Sequence, residues 1–81
     1  MEWIEKRVRE IEADLRFCEK LLRKEARMDL AKRILEELMK QIRELPVEEL
    51  PEALKAKVLD MGLKIRILYH RANALLSLQE E

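Results

Sequence analysis

Apolar residues recur at alternating intervals of three and four along most of this chain, and that spacing predicts α-helix almost throughout. The first apolar seam comprises Ile4, Val8, Ile11, Leu15, Cys18 and Leu22. Continued at the same spacing, this seam would fall on Glu25 and Asp29, which are charged, so it ends at Leu22. A second seam, turned by more than about 100° around the helix, comprises Met28, Ala31, Leu35, Leu38, Ile42 and Leu45. One flat partner cannot cover both seams of a straight helix.

Two interpretations of residues 2–45 follow from this change of seam. The segment contains neither Pro nor Gly, and "RKEARMDLAKR" is rich in helix formers, which favours one continuous helix. Such a helix would be roughly 65 Å long at 1.5 Å per residue. The alternative is a bend near residues 24–29, with Asp29 as the helix N-cap, which would give a self-contained three-helix bundle.

The segment "LPVEELPEAL" contains the only two prolines, Pro46 and Pro51, and predicts the end of the first helix near Leu45. A Pro-bounded turn over 46–51 would then lead into a second helix over about 51–78, since proline is favoured at a first helical position. No segment has the two-residue alternation of a strand. The sequence therefore predicts a single all-α domain over residues 1–81, a long helical hairpin. Because the second helix is too short to cover the first, we expect an antiparallel helical-bundle homodimer with coiled-coil-like packing.

The last helix is apolar on two opposite sides, which is typical of a helix packed between two neighbours. One stripe, expected to pair with the first helix, comprises Leu54, Val58, Met61, Ile65, Leu68, Ala72 and Leu75. The predicted interaction surface is the opposite stripe, with Leu59, Leu63, Ile67, Ala74 and Leu78. We expect the symmetry mate to cover it, or else the amino-terminal segment around Trp3 and Ile4. Gly62, the only glycine, would let another helix approach closely.

Composition narrows the class of protein. Lys plus Arg and Asp plus Glu both number 17, so no net field attracts nucleic acid or an acidic membrane. One cysteine, no signal peptide and no uncharged run longer than that from residue 72 to 79 predict a cytoplasmic protein without a membrane segment. Charged residues reach 42%, with one Asn and no Thr, which fits a hyperthermophile protein or a designed helical one.

Candidate chemistry is sparse, so the favoured function is interaction: a small scaffold or regulatory adaptor that self-associates and docks a protein partner. His70 is the only histidine, so no second histidine can share a metal with it. The position three residues before it, where a glutamate ligand would help to bind a metal, is Ile67. Cys18 falls on a core position, where cysteine behaves as a small hydrophobe. Ser77 has no base at useful spacing. We therefore expect no catalytic residue, no cofactor and no metal.

A nucleic-acid-binding accessory protein is the alternative function, because the second helix has a local excess of positive charge. Residues 53–77 contain five Lys or Arg against Asp60 alone. The candidate nucleic-acid contacts are Lys55, Lys64, Arg66, His70, Arg71 and Asn73.

A lesser alternative comes from the segment "VREIEADLRFCEKLLRKEARMDLAKRI". With Arg9, and with Arg27 followed by Leu30 and Ala31, it resembles the first helix of helical chorismate mutases, which are dimers of short chains. The resemblance covers about a third of the chain and implies a small helical-bundle enzyme with charged pockets between helices. The middle helix of that family has no counterpart between Leu45 and Pro51.

Overall fold

The computed structural model describes residues 2–79, which form a bundle of three helices. These are α1 (Glu2–Arg23), α2 (Met28–Glu44) and α3 (Glu52–Gln79), with one 3-10 turn, Val47–Glu49, between α2 and α3. The bundle measures 45 × 17 × 17 Å, and α3 alone runs almost its whole length. No strand occurs within residues 2–79, so the prediction of an all-α helical bundle is confirmed.

The prediction of one continuous helix over residues 2–45 is wrong, because α1 ends at Arg23 and α2 begins at Met28. The structure agrees instead with the alternative, a three-helix bundle with a bend near 24–29. Asp29 is not the N-cap of α2, since it is the second residue of that helix. Arg27 occupies the cap position, with φ 50° and no side-chain hydrogen bond to the helix.

The bend is built without glycine. Glu25 has φ 51°, in the left-handed region, and its N–H donates to the Leu22 carbonyl at 3.2 Å. The Ala26 N–H donates to the Leu21 carbonyl at 2.9 Å, so this pair of bonds closes α1 as a Schellman motif does. A left-handed residue other than glycine costs about 1–2 kcal/mol. The bend offsets that cost because it lets both apolar seams face one core. Helix propensity is a local property and does not predict such a bend.

The core takes one face from each helix. The α1 seam and most of the α2 seam are buried, as is the first stripe of α3 through Val58, Met61, Ile65, Leu68 and Ala72. Ion pairs between residues 12 and 57 and between residues 19 and 64 show that α1 and α3 run parallel. Contacts of Ile42 with Gly62 and of Glu36 with Tyr69 show that α2 and α3 are antiparallel.

The connection between α2 and α3 is anchored by two leucines. Leu45 and Leu50 are both buried, on either side of the 3-10 turn. The Leu45 N–H donates to the Ile42 carbonyl at 3.2 Å and closes the last turn of α2. The Pro51 carbonyl accepts the Lys55 N–H at 2.8 Å, so α3 starts directly after this proline, which lacks an N–H of its own.

Among residues 2–79, none of the helices combines the length and the apolar character that a bilayer-spanning helix needs.

Candidate interaction surface

The predicted interaction surface lies on the side of α3 that faces away from the core. At about 100° per residue, its residues are centred some 160° from the buried stripe of the same helix. All five are exposed, and the four large ones are exposed to between 51% and 67%. We call this set the exposed row: Leu59, Leu63, Ile67, Ala74 and Leu78.

The amino-terminal segment does not cover the exposed row, so that part of the prediction is wrong. Ile4 is buried in the core at 3% exposure, and Trp3 is itself 59% exposed. The physical reason is the bend at 24–27, which turns the α1 seam inward onto α2 and α3. Within residues 2–79, the core side chains do not reach the outer side of α3, so they do not cover the exposed row.

An apolar groove of about 280 Å³ lies beside the exposed row, between α2 and α3. Met39, Ile42 and Val47 form one wall, and Leu59 and Gly62 contribute to the other. The side chains of Arg43 and Arg66 also line it. Sequence reasoning missed this groove because its width depends on how far apart two helices lie, which periodicity does not report.

Gly62 does not mark a close helix approach within the bundle, which corrects the sequence-based expectation. A Cβ added there would meet only the Ile42 Cγ2 atom, at 3.7 Å, an ordinary van der Waals contact. The α2–α3 spacing therefore leaves room for an alanine.

The candidate nucleic-acid contacts do not form one basic surface. Lys64 Nζ lies 3.2 Å from Glu19 Oε1, and Lys55 Nζ lies 3.5 Å from Glu48 Oε2. Helical geometry places Lys64 and Arg71 on the α1 side of the exposed row, whereas Lys55, Arg66 and Asn73 lie on the α2 side. Apolar side chains therefore separate two small groups of positive charge, and carboxylates pair with part of each group.

Ion pairs between α1 and α3 were also missed by sequence reasoning. Lys57 Nζ lies 3.0 Å from Glu12 Oε1, in addition to the Lys64–Glu19 pair. The available signal was the equal spacing of seven residues between the two glutamates and between the two lysines. These groups line a second, charged cavity of about 180 Å³, which also includes Arg16.

His70 is exposed and lies between Ile67 and Ala74 on the same outer side of α3. Its ring contacts Tyr69 edge to face, with centroids 6.1 Å apart. The Tyr69 hydroxyl donates to Glu36 Oε2 at 3.0 Å. Within residues 2–79, no group of three His, Cys, Asp or Glu side chains is arranged to hold a metal ion.

The thiol of Cys18 is buried in the core, and its Sγ–H donates to the Ala31 carbonyl at 3.8 Å. Burial, helped by the charge of Asp14, raises the pKa of Cys18 to about 11. The thiolate, which is the reactive form, is therefore scarce at neutral pH.

The arginines that carried the resemblance to helical chorismate mutases are both exposed. Arg9 lies on α1, while Arg27 lies in the bend and its Nε contacts Asp29 Oδ1 at 3.5 Å. The bend also interrupts the long first helix on which that resemblance depended.

In comparisons with known proteins, no family model matches this chain, and neither a curated protein nor a solved structure matches it. The exposed row, the groove and the charges around them are therefore the features that bear on function.

Proposed function

We propose that this protein is a small helical interaction module, a scaffold or regulatory adaptor, that acts by self-association and by docking a protein partner on the exposed row. One observation carries the proposal. Three large aliphatic residues, Leu59, Leu63 and Ile67, lie one helical turn apart, and each is more than half exposed. Full burial of one such side chain is worth about 1.5–3 kcal/mol, so covering the row supplies a strong driving force for association.

Protein docking is favoured over the alternative, nucleic-acid binding, by the distribution of charge. A nucleic-acid surface needs a continuous basic patch, often with aromatic rings for stacking. Here the exposed row divides the basic residues, and Lys55, Lys57 and Lys64 each have a carboxylate within 3.5 Å. The proposal assigns no catalytic role to His70, no cofactor and no metal.

The proposed setting is the cytoplasm of a heat-adapted organism. A single cysteine, protonated and buried, suits a reducing compartment. The pairs Glu12–Lys57 and Glu19–Lys64 bridge two helices, and such ion pairs gain in value as temperature rises.

Light scattering after size-exclusion chromatography tests the proposal. The wild-type protein should show twice the chain mass of 9.7 kDa at about 100 µM, and the double variant Leu63→Lys/Ile67→Lys should show the single-chain mass. Because both positions are exposed in the bundle, the variant should keep its helical circular dichroism. The matched control Ala13→Lys/Phe17→Lys, with the same spacing and charge change on the outer side of α1, should remain dimeric.

Three outcomes contradict parts of this proposal. A monomeric wild type would exclude self-association. A dimeric double variant would show that the contact lies elsewhere. Salt-sensitive retention on heparin that is lost when Arg66 and Arg71 are changed to Ala would favour the nucleic-acid alternative.

A further inference from the structure

The groove between α2 and α3 combines an apolar interior with positive charge at its mouth. Most of its lining is apolar, and Val58 and Ile65 at its base have no exposed surface. Arg43 and Arg66 also line it, and both are exposed. None of the residues that line the groove is Asp or Glu. The groove therefore presents two positive charges beside an apolar interior, without a carboxylate of its own.

Neither of these arginines is neutralised by a neighbouring carboxylate. Within residues 2–79, Lys55, Lys57 and Lys64 of α3 each have an acidic partner, but Arg43 and Arg66 form no ion pair. An acidic partner on the same helix would lie three or four residues away. Those positions are Met39, Lys40, Pro46 and Val47 around Arg43, and Gly62, Leu63, Tyr69 and His70 around Arg66. The charge at the mouth of the groove is thus complementary to an anion.

The two arginines lie on opposite walls of the groove and at similar heights. Because α2 and α3 are antiparallel and Ile42 is the side chain nearest to Gly62, Arg43 lies level with the turn around Gly62. Arg66 lies one helical turn further along α3, about 6 Å away. Arginine is a long side chain whose guanidinium can hold a carboxylate through two N–H groups. One carboxylate at the mouth can therefore contact both arginines.

Gly62 gives the groove part of its volume. It is the only glycine of the chain and lies within α3, where glycine is less favourable than alanine. Its φ is not positive, so the backbone does not require glycine. Packing does not require it either, since an added Cβ would lie 3.7 Å from Ile42 Cγ2. An alanine would instead take space from the groove, so a ligand in the groove gives this glycine a physical reason that the bundle alone does not.

The size of the groove limits what it can hold. Its lining on α3 extends from Val58 to Arg66, which is about 12 Å at 1.5 Å per residue. Its volume is about 280 Å³. At roughly 30 Å³ for each water molecule displaced, this is room for about nine or ten non-hydrogen atoms. An α-helix of a protein partner, about 10–12 Å across, is too wide to enter. The dimensions therefore favour a small molecule.

We propose that this groove binds a small amphipathic carboxylate, an aliphatic acid of about eight carbons. Its chain packs against Val58 and Ile65, and its carboxylate lies between Arg43 and Arg66. Octanoate has the matching number of non-hydrogen atoms. The inference goes beyond the proposed self-association and does not depend on it, because Leu59 is the only residue that the groove shares with the exposed row.

A titration of the ¹⁵N-labelled protein with sodium octanoate, followed by amide NMR, tests the inference. As the only glycine, Gly62 is a single marker within the groove. Its signal should shift and saturate with a dissociation constant of about 0.1–1 mM, as expected for a ligand of this size. Hexanoate, which is two methylenes shorter, should bind about tenfold more weakly. Octanol, which lacks the charge, should also bind at least tenfold more weakly, and octylammonium should not bind in the groove.

Substitutions in the groove test the contacts separately. Arg43→Gln and Arg66→Gln should each weaken octanoate binding about tenfold, because each removes a charged contact. Arg9→Gln, the same change at an exposed residue of α1 that does not line the groove, should leave the affinity unchanged. Gly62→Ala, followed at the Ile42 amide, should weaken binding about fourfold while raising the melting temperature. A purely structural role for Gly62 would not produce these opposite effects.

Several results would overturn the inference. The absence of saturation at Gly62 would mean that the groove does not bind octanoate, and shifts confined to residues outside the groove would place the ligand elsewhere. Equal affinities for octanoate and octanol would exclude the contact between carboxylate and arginine. Octanoate binding that is unchanged in both arginine variants would exclude it as well. A monomeric protein in light scattering would contradict the proposed self-association but would leave this inference in place.

Discussion

The two sides of α3 contain the same kinds of residue in opposite surroundings. Ile65 is fully buried against α1 and α2, whereas Ile67, two residues later on the same helix, is 59% exposed. Their helix propensity and hydrophobicity are identical, so only the neighbours distinguish them. Folding of the single chain uses one side of α3, and the other side retains apolar surface that can stabilise an assembly.

The largest expected difference between the two sides is in the free energy of unfolding. Ile65→Ala should lower it by about 2–5 kcal/mol, because the substitution leaves a cavity in the core. Ile67→Ala should change it by less than about 0.5 kcal/mol, because the side chain is exposed in the single chain. Urea denaturation at low micromolar concentration measures both. Equal losses for the two variants would show that Ile67 is covered within the single chain.

The pH dependence of stability gives a second test of the buried side, through the thiol of Cys18. Its pKa is raised from near 9 to about 11 in the folded chain, so the folded state holds its proton more tightly than the unfolded state. The contribution of the protonated thiol to the free energy of unfolding is complete below pH 9. It falls by about 2 kcal/mol as the pH rises from 9 to 11. Urea denaturation at pH 8 and pH 11 measures the loss.

Cys18→Ala is the control for that titration, because it removes the thiol and leaves every other ionisable side chain unchanged. The variant should be less stable at every pH but should have a shallower pH dependence above 9 than the wild type. Identical slopes for the two proteins would mean that the thiol ionises equally easily in both states.

Gly62 lies at the border between the two sides of α3. Gly62→Ala should stabilise the chain by about 0.5–1 kcal/mol, because glycine is unfavourable within a helix and the added Cβ meets only Ile42, at 3.7 Å. The melting temperature should rise by a few degrees. Ala13→Gly, at an exposed position of α1, should lower it by a similar amount. Destabilisation by Gly62→Ala would show that another chain approaches this glycine closely.

The smallest effect is expected on the exposed side. His70→Ala should change the free energy of unfolding by less than about 0.5 kcal/mol, because the imidazole is exposed and contacts mainly the edge of Tyr69. Thermal denaturation followed by circular dichroism measures it. A loss above 1 kcal/mol would mean that His70 has a structural partner in the bundle.

Periodicity predicted the secondary structure and the orientation of α3, but not the bend. Val58, Ile65 and Ala72 are buried, and Leu59 and Leu63 are exposed, as a spacing of 3.6 residues per turn requires. The break between α1 and α2 was not predicted as the main interpretation, because neither Gly nor Pro marks it. The only signal was the change of apolar seam at residues 22–28. The chain bends there because both seams can be buried in one core only if it does.

The surroundings of the candidate surface were beyond sequence reasoning for a related reason. The groove beside Leu59 and the pairing of Lys57 with Glu12 both depend on how far α3 slides along its neighbours. Helix periodicity reports which way a side chain points around its own axis. It does not report the level at which two helices meet, which is set by packing of the complete core.

The order of the helices has a consequence for the speed of folding. Each of α1 and α2 is followed directly by a helix that packs antiparallel to it, so most contacts join segments that are close along the chain. Loop-closure entropy is then small, and helical proteins with such local contacts fold in microseconds to milliseconds. The parallel pairing of α1 with α3, bridged by Lys57 to Glu12 and Lys64 to Glu19, joins residues 45 apart along the chain. We therefore expect the two antiparallel pairs to form early and the α1–α3 contact to form last.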